Sequence, residues 1–256
     1  RDLVRSRGLG DVYKRQIANR AASSGLQSAR SASILIITLS IMKLSVEGKA
    51  VGSLSKSDAS IDPRILDSAR REFLARGFEG ASLQSICADA GVTTGALYKR
   101  YKGKADLFEA VVAPTLADIR ALEEEAKRRD YALMDDKNLR ELWALSEDIH
   151  RQWMIYFYER YEGMRLLLCC AEGTAYANFL HDFVARNTAL CMEFVNEARR
   201  RDLPVSDIDA DELHILLTAY WSTVFEPLVH GFPLEKALGY CKRIAGFFNW
   251  QVVFGF

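Results

Sequence analysis

The stretch from Thr93 to Lys104, TTGALYKRYKGK, sets three small residues beside two tyrosines and four cations. Thr94, Gly95 and Ala96 let a backbone come close to a grooved partner, and N–H groups at a helix start favour phosphate. Tyr98 and Lys99 project outward from the same short helix. Lys102 and Lys104 follow its end, where a phosphate backbone would run. The chemistry implied is non-covalent recognition of a polyanion. A merely solvated basic face accounts for four cations in six positions about equally well. The surrounding elements must decide.

Residues for other chemistry are not arranged to perform it. The sequence holds no nucleophile elbow, no glycine loop that would cradle phosphate, no paired-carboxylate motif and no His-x-x-x-His. The cysteines Cys87, Cys169, Cys170, Cys191 and Cys241 form neither Cys-x-x-Cys nor a zinc spacing. They read as buried thiols of a reducing cytoplasm. No catalytic residue, metal or cofactor is expected, and the chain reads as a protein that is not an enzyme.

The elements that must position the basic block begin at Ile61. Asp62 can cap, Pro63 suits the first helical position, and Ile65, Leu66, Ala69, Phe73 and Leu74 form one face until Gly77. Ser82 can cap a short second helix with Leu83, Ile86, Cys87 and Ala90 on one side. Gly91 breaks it, Val92 packs inward, and Thr93 caps a third helix from Thr94 to about Tyr101 with Leu97 and Tyr101 inward. Helix, short glycine-bearing turn, helix is the grammar of a helix-turn-helix, whose second member enters the major groove by its N-terminal end.

Over about fifty residues, ARREFLARGFEGASLQSICADAGVTTGALYKRYKGKADLFEAVV (Ala69 to Val112) resembles the DNA-binding head of the tetracycline-repressor-like (TetR) family of regulators. The likeness lies in GF-x-x-x-S, I-x-x-x-AGV-x-x-GALY, an aromatic at Tyr101, K-x-K and LF. It implies that Ser82 and Lys104 contact phosphates while Thr93, Thr94, Gly95, Tyr98 and Lys99 face the groove. Arg100 departs from the His or Tyr more usual there, which leaves the base preference open. The resemblance also implies a homodimer on a palindromic duplex and a small-molecule effector.

From Lys104 the pattern is helical throughout, so the fold class expected is all-α: a three-helix head with a helix-turn-helix, then a helical body for ligand binding and dimerisation. A helix from Lys104 should kink or restart at Pro114. Others are expected at Asn138 to about Tyr161, as a short helix bracketed by Gly163 and Gly173, and at Thr174 to Arg201. The last two are Asp209 to about His230 and Leu234 to about Phe254. The final one carries two apolar stripes and must be buried on both, which a twofold mate in a four-helix bundle would achieve. The interior is rich in aromatics. Trp143, Trp153, Phe157, Phe179, Trp221 and Phe225, with His150, Asn178 and Glu226 among them, are candidates to line a pocket for an apolar or amphipathic molecule. An aromatic core without a ligand is the plainer reading of the same residues.

The composition is that of a soluble chain: 256 residues, 49% apolar, 27% charged, formal net charge zero. The first 41 residues hold seven basic against two acidic residues, leaving 27 against 32 for Met42 to Phe256. The span from Asp58 to Val112 balances eight basic with eight acidic residues, so a polyanion contact must be local. Residues 1–41 read as upstream, adapter-derived sequence with translation starting at Met42, and residues 42–60 as a flexible arm. Residues 61–103 form the DNA-binding unit and 104–256 the body. The rival for Ile34–Met42, ILIITLSIM, is the apolar core of a signal peptide, too short to span a bilayer and lacking a cleavage signature. The function expected is a cytoplasmic repressor released from its operator by a ligand. The rivals are a DNA-binding regulator without a small-molecule ligand, and a helical interaction or membrane-surface module.

Overall fold

The computed structural model describes residues 61–132 and 143–255, and among them every regular element is an α-helix. The adapter-like segment, the arm, and the expected helical residues 138–142 (Leu139 and Leu142 with them) lie outside the described residues. The head consists of α1 (Ile61–Gly80), α2 (Leu83–Ala90) and α3 (Thr94–Tyr98). The body consists of α4 (Lys104–Ala132), α5 (Glu147–Glu159), α6 (Tyr161–Cys169), α7 (Phe179–Arg200), α8 (Ala210–Val229), α9 (Leu234–Leu238), α10 (Cys241–Phe247) and α11 (Trp250–Val253). None of these helices is long and apolar enough to cross a membrane.

Local chemistry sets the boundaries. Ser82, Thr93, Ser146 and Asp209 each accept a backbone N–H three residues on, as N-caps do. Gly77 takes φ 69° and interrupts α1 where the sequence places its end. At the far end of α8, Arg165 Nη1 donates to the carbonyls of Leu228 (3.1 Å) and Val229 (3.3 Å), satisfying acceptors that the helix leaves over.

Five expected spans differ. Gly163, expected to precede the short helix, lies inside α6. Pro114 neither kinks nor restarts α4, which runs through it; the proline lies on the exposed side, where its lost N–H bond is cheapest to forgo. In the described part of the helix expected over 138–161, residues 143–146 are not helical and α5 starts at Glu147, because Ser146 turns its side chain back onto the Ile149 N–H. Thr174 likewise accepts the Tyr176 N–H and donates to Ala171, so residues 174–178 form turns and α7 begins at Phe179. The long last helix is three short ones. Phe248 is extended at its break, and Asn249 caps α11 by accepting the Val252 N–H. The expected two-sided apolar stripe is therefore split: Cys241, Ile244, Trp250 and Phe254 are buried, while Phe247 is 81% and Val252 68% exposed. All five cysteines are free, but only Cys87, Cys170 and Cys241 are buried; Cys169 is exposed and Cys191 half-buried.

One hydrophobic core runs from the head into the body. Ile65, Ala69, Phe73, Leu97 and Phe108 belong to the same buried cluster as Tyr156, Leu167, Phe183 and Trp221. α1 packs on both α4 and α6. The Phe78 N–H donates to the Cys170 carbonyl at 2.9 Å, and Arg70 pairs with Glu162 at 2.9 Å. α4 and α6 in turn approach so closely that Gly163 sits against the buried Thr115 side chain.

Candidate nucleic-acid interface

Leu97 fixes the reading element. It is fully buried against the head core, and Tyr101 is half-buried beside it, so α3 can present only its other side. The turn before it depends on Gly91, whose φ of 64° is left-handed; its N–H donates to the Ala88 carbonyl, and the Val92 N–H to that of Cys87. Thr93 then accepts the Ala96 N–H at 3.1 Å. What remains outward is Thr93, Thr94, Gly95, Tyr98 (54% exposed), Lys99 and Lys102, six of the eight residues expected at DNA.

The other two have work inside the head. Ser82 is half-buried, its Oγ accepting the Ser85 N–H while its own N–H donates to Glu72 Oε1 at 3.1 Å. Lys104 Nζ donates to the carbonyls of Glu79 (2.9 Å) and Ala81 (3.1 Å) and lies 4.8 Å from the Phe78 ring centre. An ammonium has three protons, so two of the three are committed to holding the α1–α2 turn. Two residues to which the sequence assigns no such role also matter. Arg100 donates to the Ala96 carbonyl and ion-pairs with Asp62, tying the end of α3 to the start of α1. Asp106 accepts the Lys102 N–H at 2.8 Å and fixes the exit of the basic block. The first tie is not signalled by spacing, since Arg100 and Asp62 lie 38 positions apart.

In the body, the candidate ligand residues separate into two groups. Phe157, Phe179, Trp221 and Phe225 are buried and Trp153 partly so; Trp221 lies 5.1 Å from Trp153 and 5.5 Å from Phe225, ring centre to ring centre. Trp143 instead stacks 3.7 Å from Phe254. Asn178 and Glu226 lie apart from the buried cluster. Asn178 is exposed in the turn ahead of α7, and Glu226 is exposed and paired with His230 at 2.8 Å, because one residue past Phe225 the helix has turned toward solvent.

His150 is 2% exposed. Its Nδ1 lies 2.8 Å from the Ser146 carbonyl and its Nε2 3.1 Å from the Tyr220 hydroxyl. A carbonyl can only accept, so Nδ1 carries the proton and the Tyr220 O–H donates to Nε2. Burial holds this imidazole below its ordinary value, against the Ser146 carbonyl, which favours its proton. The unfolded chain therefore takes up the proton first. The contribution of this one group is whole above about pH 6.5 and should be lost on acidification, by at most about 1.4 kcal/mol per pH unit. Thermal melts between pH 7.5 and 5.5 should fall more steeply for the parent than for His150→Gln; parallel slopes would refute the assignment.

Comparison with known proteins places the head. Residues 65–111 match the family model described as bacterial regulatory proteins, tetR family. The HTH-type transcriptional regulator SrpR of Pseudomonas putida is 44% identical over 50 residues, 20% of this chain and 24% of that protein. TtgW, an uncharacterized HTH-type transcriptional regulator also from Pseudomonas putida, is 44% identical over 50 residues, 20% of this chain and 37% of its own length. The likeness thus spans about a quarter to two-fifths of these relatives. Among solved structures, a TetR-like transcriptional regulator from Rhodococcus sp. RHA1 aligns over 76% of this chain and 97% of its own, at 16% identity and TM-score 0.48.

Proposed function

We propose that this chain, whose head belongs to the tetR family of bacterial regulatory proteins, is a DNA-binding transcriptional regulator that works as a homodimer on a palindromic operator. The observation that carries this reading is the outward array of Thr93, Thr94, Gly95, Tyr98, Lys99 and Lys102, held by the buried Leu97. Small residues lead, an aromatic and a cation follow, and the flanking lysine meets the phosphates. A twofold mate sets two such elements about 34–36 Å apart, one duplex turn. The exposed Ile215 of α8 and the exposed Phe247 and Val252 supply apolar surface for that mate.

Repression relieved by a ligand is the mode we favour. An effector binding among the body aromatics would stabilise the arrangement in which the heads are wrongly spaced. The shift would reach the head by α4, which starts at Lys104, and by the α1–α6 contact. The cytoplasm is where such a protein meets DNA.

A gel shift and footprint on the DNA flanking its own gene, with and without candidate effectors, tests the reading. A protected palindrome is expected, released by effector. Tyr98→Ala or Lys99→Ala should change which site is chosen, at about 1–3 kcal/mol for each base interaction removed. Lys102→Ala should weaken all sites alike and lower the salt slope by about one. Lys104→Met should do the same and also lose about 1 kcal/mol of stability, since it frees the Glu79 and Ala81 carbonyls. Failure to bind any palindromic fragment at low salt would overturn the proposal, and liposome binding instead would favour a membrane-surface role.

A further inference from the structure

Resting on the ligand-responsive reading above, we propose that the aromatic cluster of α5, α7 and α8 takes an uncharged, flat, apolar molecule bearing a hydrogen-bond-accepting oxygen, held by the indole N–H groups of Trp153 and Trp221. The rings of Trp153, Phe157, Phe183, Trp221 and Phe225 lie against one another: Trp153–Trp221 at 5.1 Å, Phe183–Trp221 at 4.8 Å, Phe157–Phe225 at 4.9 Å. These rings fill the space among themselves, so a guest enters by parting them, and their flat faces suit a planar apolar body. Within them both indole Nε1 atoms are closed to solvent and have no hydrogen-bond partner among the described residues. A buried donor left unpaired is costly, and an accepting oxygen relieves it. Trp250 Nε1 is also unpaired, so one such indole does not make a site. The distinguishing feature is two donors on rings in contact.

Charge selects the rest of the class. The buried polar side chains among the described residues are Ser68, Thr115, His150, Gln152 and Thr188, with no carboxylate, lysine or arginine. His150 is neutral in its bonds to Ser146 and Tyr220. A carboxylate or an ammonium on the ligand would therefore lack a buried countercharge. A ketone, ester, lactone or quinone on an aromatic frame fits; a fatty acid anion or a cationic dye does not.

Three naphthalenes of similar size test this on the full chain by titration calorimetry: 1-acetonaphthone, 1-ethylnaphthalene and 1-naphthoate. The ketone should bind at least about tenfold more tightly than the hydrocarbon, the least that one added neutral hydrogen bond predicts and less than two would give, with naphthoate weakest. Trp153→Phe and Trp221→Phe keep an aromatic ring, though a smaller one, and delete the donor. Each should lower the ketone-to-hydrocarbon ratio severalfold, and the double variant should bring it to about twofold or less, whatever the lost ring area costs both ligands alike. The wild-type comparison needs no variant, so a misfolded substitution cannot decide it. Equal ketone and hydrocarbon affinity, tightest binding of naphthoate, a ratio unaltered in both variants, or no binding up to the solubility limit would each overturn the proposal. A gel shift run alongside separates the two ideas. Ketone preference with operator binding unaltered by ketone sinks ligand release and leaves this site standing. Intact operator binding with no ketone preference sinks this site alone.

Discussion

Gly95→Glu should leave the fold intact and lower operator affinity by at least about 100-fold, roughly 2.7 kcal/mol at fixed salt. A Cβ added at Gly95 meets nothing nearer than Thr93 Oγ1 at 4.0 Å, so the free protein has room for a side chain. Replacing a helical glycine removes a penalty of up to about 1 kcal/mol, so the melting temperature should hold or rise. In the proposed complex the same position would lie where backbone and duplex approach, and a carboxylate there would face phosphates across a short, desolvated gap. Gly95→Ala separates bulk from charge: a methyl should cost about tenfold or less. Circular dichroism and a gel shift on the same preparations give both readouts. Parental DNA affinity in Gly95→Glu would remove the residue, and with it the docking mode, from the proposal.

The second large effect is one of packing. Gly163→Ala is expected to destabilise the chain by about 1–3 kcal/mol, although alanine is the better helix former. A Cβ there would fall 2.8 Å from Thr115 Cβ and 3.2 Å from its Cγ2, on the neighbouring helix α4. Rotating the threonine moves Cγ2 but not Cβ, so α4 and α6 must part. Thr115→Gly deletes the obstructing atoms, and the pair should show a favourable coupling of about 1 kcal/mol or more in a double-mutant cycle read by urea denaturation. Additive effects would mean that the two helices part without cost.

What the sequence could and could not convey divides along physical lines. The head was readable almost residue by residue because its signals are local. Ser82 and Thr93 cap through side chains three residues from their targets, and Gly91 occupies a backbone state that few other residues tolerate. The all-α class followed from periodicity alone. The inward bonds of Lys104 and the Arg100–Asp62 tie were illegible, since each joins positions more than 20 apart. Boundaries failed where a short polar side chain competes with the helix: Ser146, Thr174 and Asn249 each turn a periodic run into a start or a break. Periodicity also gave aromatic membership without direction. Phe225 and Glu226 are neighbours in sequence, yet one is buried and the other exposed.

The core that runs unbroken from Phe73 and Phe108 to Trp221 has a bearing on engineering. Many sensor designs treat a reading module as a cartridge, cut at its last loop and soldered to a foreign chassis. Here a splice at residue 104 would strip Phe108 from Phe73, which it meets edge-on at 5.0 Å, and the Phe78 amide from its Cys170 acceptor. A working hybrid would have to carry the opening turns of α4 and the rim of α6 along with the cartridge, or rebuild that seam on the recipient.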